Sequence, residues 1–248
     1  MLPRAILFDL DDTILRAYAR PDRAWLDVAE ELAADLLPLT PAAIAEATGA
    51  YAREFWADAD RHRQWRVQIT AARRQVVNGA FARLAEAGHS VPSSDIARRL
   101  ADRFTAYRDE QVCLYPDAHF VVDALRASGV LLALVTNGAA EAQRAKIDRF
   151  DLGHRFDHIQ IEGEHGFGKP DERAYLHAMS VLGVAASQTW MVGDNLEWEV
   201  VAPQRLGIYA IWHDADGNGL PPDSTIRPDR IVHSLSELLP RGGQRAAE

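Results

Sequence analysis

Cysteine is almost missing from this chain: Cys113 is the only one in 248 residues. No internal disulfide can form, and a thiolate metal site would lack partners. Cys113 is therefore read as a small buried hydrophobe. Positive charge is in deficit too, with 27 basic residues against 36 acidic ones and a net charge of -9. Such a chain repels polyanions, which argues against nucleic acid as a partner and requires any phosphate to be bound locally. Long apolar runs are absent, and none approaches a membrane span. The N-terminal MLPRAILFDLDD meets three carboxylates too soon to be a signal peptide. The expected location is the cytoplasm, with no membrane partner.

What is present is 48% hydrophobic residues, enough for a full core at the upper edge of single-domain size. Short apolar runs at Ala5–Phe8, Val130–Val135, Ile159–Ile161, Thr189–Val192, Ile208–Trp212 and Ile231–Val232 read as strands, the first ending at an acidic rim. Helical patterns at 118–127, 139–150 and 173–182 lie between them. Strands alternating with helices imply right-handed crossovers and an α/β fold, a doubly wound parallel sheet of about five strands.

The strand pattern stops after the first run. From 16 to 111 the spacing is helical, at Trp25–Leu37, Ile44–Trp56, Trp65–Leu84 and Ile96–Tyr107. The expected organisation is an α/β core from 1–15 and 112–240, an all-helical insertion at 16–111 and a disordered tail at 241–248. An insertion after the first strand would stand over the carboxyl ends of the strands, where open parallel sheets bind ligands, as a candidate lid.

Asp9 and Asp11 follow the first strand with one residue between them. Two carboxylates so close repel, and a bound cation or a shared proton is the usual relief. Acids also cap strand ends with no further role, so the pair alone decides nothing. Three more signals follow later strands: Thr136 with Asn137, Lys169 in GFGKPD, and Asp194 in GDNLEWE. Singly they read as a helix cap, a solvated charge and a turn. In a parallel sheet all four converge on one edge. They then supply carboxylates for a metal, a hydroxyl and an amide for phosphate oxygens, and an ammonium, the inventory of phosphoryl transfer.

FDLDDT at 8–13, TNG at 136–138, GKPD at 168–171 and GDNLEWE at 193–199 resemble, in order and spacing, the four motifs of the haloacid dehalogenase superfamily. The resemblance spans roughly 3–15 and 113–239, and the helical insertion matches the family in position and type. It implies that Asp9 is the nucleophile and Asp11 the general acid and base. It implies that Thr136 and the Asn137 amide hold phosphoryl oxygens and that Lys169 neutralises charge. Mg²⁺ would be held by Asp9, Asp194 and the Asp11 backbone carbonyl. The family usually has an aspartate where this chain has Glu199, which implies a water-mediated or shifted contact to the metal, with Asn195 as an alternative partner.

The implied activity is phosphatase action on a small phosphorylated metabolite. A phosphomutase or a haloacid dehalogenase stands as an alternative on the same core, although dehalogenases of the family lack the second aspartate. From another class, a non-catalytic phospho-ligand binder or a phospho-acceptor switch remains open. A monomer or homodimer is expected. Within the insertion, Arg53, Arg61, His62, Arg63, Arg66, Arg73 and Arg74, with Tyr51, Phe55, Trp56 and Trp65, either contact a leaving group or form ordinary amphipathic helices. His154, His158, His165 and His177 lack the i, i+4 spacing of a zinc helix and read as structural or surface residues. DADGNG after His213 reads as a turn, with no calcium site.

Overall fold

The computed structural model describes residues 2–17 and 21–240. The segment 241–248, expected as a disordered tail, lies outside the described residues. The chain divides into two compact units, residues 1–16 with 113–248, and residues 17–112.

It opens with β1 (Ala5–Phe8) and the two-residue β2 (Leu15–Arg16). Five helices follow: α1 (Pro21–Glu31), α2 (Pro41–Ala57), α3 (Ala59–Trp65), α4 (Ile69–Glu86) and α5 (Ser94–Gln111). Local chemistry sets their starts. The Thr40 hydroxyl accepts the Ala43 N–H and Pro41 fills the first turn of α2, while the Asp58 carboxylate accepts the Arg61 N–H at the start of α3. Trp25 and Phe104 stack at the centre, with Ile44, Val77 and Leu100 buried around them.

Two expected helices are shorter here. The pattern from Trp25 to Leu37 is helical only to Glu31. Bonds from Ala33 N–H to Glu30 O and from Asp35 N–H to Leu32 O then tighten the chain into turns ahead of Pro38, which disfavours helix at the preceding residue. The Trp65–Leu84 pattern splits, because the 3₁₀ turn Arg66–Gln68 separates α3 from α4.

The remaining elements are β3 (Cys113–Leu114), α6 (Ala118–Ala127), β4 (Leu131–Thr136), α7 (Ala140–Arg149), β5 (His158–Ile161), α8 (Glu162–His165), α9 (Glu172–Leu182), β6 (Thr189–Gly193), α10 (Ala202–Arg205), β7 (Tyr209–His213) and β8 (Arg230–Val232). Six strands form one parallel sheet in the order β5-β4-β1-β6-β7-β8, one more than the five expected. From β1 the chain first builds outward through β4 and β5, then returns to β6 on the other side. The order therefore reverses at the carboxyl end of β1, where parallel sheets open a crevice.

Cys113 corrects the expectation of a buried thiol, since it is exposed. It sits on the β2–β3 ribbon opposite the exposed Arg16, while the buried Leu15 faces Leu114. Strand alternation gives the thiol the outer face. Among the described residues no helix is long and apolar enough to cross a membrane.

Candidate active site

β1 is buried along its whole length and delivers Asp9 to the crevice. The Asp9 N–H still donates to Val192 O of β6 at 2.9 Å, so the carboxylate starts from a fixed strand end. The chain then turns sharply. Leu10 O accepts the N–H groups of Ile14 and Leu15, and Asp12 takes the left-handed conformation at φ 58°. The Thr13 hydroxyl consequently donates back to Asp9 Oδ2 at 3.3 Å.

Lys169 is completely buried, with Nζ 2.5 Å from Asp9 Oδ1 and 2.7 Å from Glu199 Oε1. The second contact is an ion pair not aligned as a hydrogen bond. Burial alone would lower the ammonium's pKa, but Asp9 and Glu199 hold it above its ordinary value. Asn137 fixes the backbone beneath it: Nδ2 donates to Lys169 O at 2.7 Å and Oδ1 accepts the Lys169 N–H at 2.8 Å. A side chain on Gly168 would begin 2.5 Å from Asn137 Oδ1, so the loop can approach this closely only with glycine there.

Thr136 ends β4 and is buried; its hydroxyl accepts Gln143 Nε2 at 2.5 Å and contacts Asn137 O. Gln143 Nε2 also reaches Asp11 Oδ2 at 3.1 Å, and Lys146 Nζ meets both Asp11 oxygens at 2.8 Å. Gln143 and Lys146 were not anticipated from sequence. They stand one helical turn apart on α7, and that polar pair facing the sheet edge was the available signal. Glu162 was also missed; it is buried and accepts the Gly138 N–H at 3.0 Å, bracing the loop after β4.

Asp194 follows β6, and burial together with Asp9, Glu199 and Asp12 pushes its carboxyl up to about 9. Burial also raises Asp9 against the pull of Lys169, and pushes Glu199 up to about 7. Glu199 is buried in the π-helical turn Leu196–Val201, and its Oε2 accepts the Asn195 N–H at 2.8 Å. Asn195, expected near a metal, has its side chain engaged at the start of the π-turn. Its Oδ1 is taken up capping the π-turn through the N–H groups of Glu197 and Trp198. Glu199 likewise aims at Lys169 in this geometry.

Asp9 and Asp194 offer only oxygen donors, and burial first, then neighbouring carboxylates, raises both carboxyls, a cost that a hard divalent cation relieves. The residues therefore fit Mg²⁺.

Four of the arginines singled out in the helical unit have local partners. Arg74 forms a bidentate pair with Asp102, Arg63 pairs with Asp60, and Arg61 and Arg73 lie over the rings of Phe55 and Phe104. Trp56 packs on His62, and Phe55 on Trp65. Asp214 accepts the N–H groups of Asn218 and Gly219, which makes DADGNG a turn.

A family model for haloacid dehalogenase-like hydrolases matches residues 3–207. The phosphoserine phosphatase of Thermus thermophilus is 39% identical over 144 residues, covering 58% of this chain and 56% of that protein. The (S)-2-haloacid dehalogenase 4A of Burkholderia cepacia is 30% identical over 143 residues, 57% of this chain and 60% of that protein. The chain thus spans little more than half the length of these curated relatives. The HAD-hydrolase YfnB from Bacillus subtilis, solved bound to magnesium, shares the fold with a TM-score of 0.66 at 24% identity, over 96% of this chain and 97% of that one.

Proposed function

The chain belongs to the haloacid dehalogenase-like hydrolase family, and from that premise we propose that it hydrolyses the phosphomonoester of a small metabolite with Asp9 as nucleophile. An Asp9 oxygen attacks phosphorus, the ester P–O bond breaks, and the leaving alkoxide takes a proton from Asp11. Asp11, now a carboxylate, takes a proton from water as that water attacks the aspartyl phosphate, which releases inorganic phosphate and restores Asp9. Thr136 and the Asn137 amide receive the phosphoryl oxygens, and Lys169 offsets the charge that accumulates on Asp9. Asp9, Asp194 and the Asp11 carbonyl would hold Mg²⁺, which when bound would supply the remaining charge neutralisation for attack of an anionic carboxylate on an anionic ester.

The observation that carries this reading is Asp11, a second carboxylate beside Asp9 with Gln143 and Lys146 aligned on it. A halide leaves without a proton, so a dehalogenase needs no general acid at that step, whereas a leaving alkoxide does.

The test is phosphate release from a panel of phosphorylated metabolites with Mg²⁺, run beside halide release from 2-haloacids, for the wild type, Asp9→Asn and Asp11→Asn, all shown folded. Phosphate release lost in both variants supports the proposal. Halide release that survives Asp11→Asn replaces it with a dehalogenase. Phosphoryl transfer to a second alcohol in preference to water replaces it with a mutase.

A further inference from the structure

Three imidazoles come together that take no part in the contacts described above. His158 begins β5, the edge strand of the sheet; His165 ends α8; His177 lies on α9. None is i, i+4 from another, so sequence spacing leaves them apart and the fold joins them. One ring nitrogen of each lies within 4.8 Å of the other two.

The bonds around them set their protonation. His165 Nδ1 lies 3.1 Å from Ile161 O, a pure acceptor, so Nδ1 carries the proton and Nε2 keeps its lone pair. His177 Nδ1 lies 2.9 Å from Gln160 Oε1. Gln160 is itself buried, with Nε2 donating to Ala174 O at 2.9 Å, which fixes its oxygen toward His177 and again leaves Nε2 bare. An imidazole that donates one N–H to a carbonyl and presents the other nitrogen unprotonated has the arrangement of a metal ligand. His158 Nε2 is buried with no hydrogen-bond partner in the structure.

Packing alone accounts for part of this. The rings meet edge-on or tilted, with centroids 5.1 to 6.3 Å apart, as aromatic clusters do. It does not account for a buried nitrogen without a partner, which is costly unless something meets it. Nor does it require two neighbouring tautomers that both expose a lone pair.

We propose that His158, His165 and His177 bind one late first-row divalent ion of the Zn²⁺ class, with water in the fourth position. Imidazole suits such ions better than Mg²⁺ or Ca²⁺. Tetrahedral ligation at about 2.0–2.1 Å places ligand nitrogens about 3.4 Å apart, so side-chain rotations of about 1 Å close the set. The ion would tie the edge strand to α8 and α9, which flank the loop carrying Lys169. It is distinct in ligand chemistry from the oxygen site at Asp9 and Asp194.

Co²⁺ is the probe, added to the metal-stripped full chain in saturating Mg²⁺. The expected result is one bound equivalent with the intense visible absorption of a tetrahedral nitrogen site. That absorption is lost in each of His158→Gln, His165→Gln and His177→Gln, while Mg²⁺-dependent turnover and circular dichroism stay at wild-type level. Zn²⁺ should displace the Co²⁺. Three single variants guard against one that misfolds. No tetrahedral Co²⁺ in the wild type, or an undiminished signal in all three folded variants, overturns the site.

Discussion

Replacing Lys169 by methionine tests the electrostatic centre of the crevice. Methionine fills the same completely buried slot but removes the ammonium that sits 2.5 Å from Asp9 and 2.7 Å from Glu199. Two buried carboxylates then face each other and Asp194 with no protein cation between them. Removing one partner of a buried pair costs about 3–5 kcal/mol, and proton uptake by the orphaned acids returns part of it, leaving about 3 kcal/mol at pH 8. For a chain of this size that is a fall in Tm of about 6–12 °C. The sign with pH is fixed: losing the ammonium raises the folded-state pKa of both acids, so the penalty shrinks as pH falls and protons neutralise them. Thermal unfolding followed by tryptophan fluorescence, in EDTA from pH 5 to pH 8, reads it out. Adding Glu199→Gln should restore about half of the lost Tm without restoring turnover, which falls about 10³-fold in both variants. A Lys169→Met protein within about 2 °C of wild type at pH 8, or one equally destabilised at every pH, would refute the reasoning.

Lys146→Met should lower kcat about 10- to 100-fold with KM little changed, and Lys146→Arg should recover part of it, because Lys146 positions Asp11 and need not touch substrate; steady-state kinetics decide. Asn137→Ala removes both bonds to the Lys169 peptide and should cost about 2 kcal/mol in urea unfolding, with a matching loss of turnover. In EDTA, stability should decline as pH rises. Glu199 and Asp194 have folded pKa values raised to about 7 and about 9 from 4.5 and 3.8, so their contribution is complete below the lower values and is lost through the higher ones. Mg²⁺ should flatten that decline, and Tm measured across pH with and without the ion checks it.

The sheet was legible because its central strands are buried on both faces and its strands read as short apolar runs between helical patterns. The crevice was legible because one strand end after another carries a polar residue, and a parallel sheet brings all such ends to one edge. What could not be read was which way a helix turns its polar face. The helical pattern at 139–150 does not by itself say which face of α7 meets the sheet. In the fold Gln143 and Ile147 are the buried pair, and Lys146 reaches Asp11. Turn chemistry hid the end of α1 in the same way, since Trp25 to Leu37 keeps a helical spacing that hydrogen bonds abandon after Glu31. The three histidines escaped because their meeting depends on β5, α8 and α9 packing together, which no local spacing encodes.

Glu199 shows how a departure from the family's motif is absorbed locally. A π-turn winds wider than an α-turn, and here it runs from Leu196 to Val201 with Asn195 capping its N–H groups. Glu199 therefore lies across Gly193, where a Cβ would come within 2.0 Å of its Cγ. Only glycine at 193 leaves that path open, so the longer acid and the bare backbone are one device. With the extra methylene, Glu199 reaches Lys169 with one oxygen and accepts the Asn195 N–H with the other. Lys169 is thereby shared between Glu199 and Asp9. Fully ionised, Asp9, Asp194 and Glu199 outweigh Lys169 by two charges, the amount that one divalent cation cancels. On the proposed reading, a buried glutamate that competes for Lys169 would make Asp9 and Asp194 depend more on the cation, so Glu199→Gln is expected to shift Mg²⁺ affinity, which a Mg²⁺ titration of turnover checks.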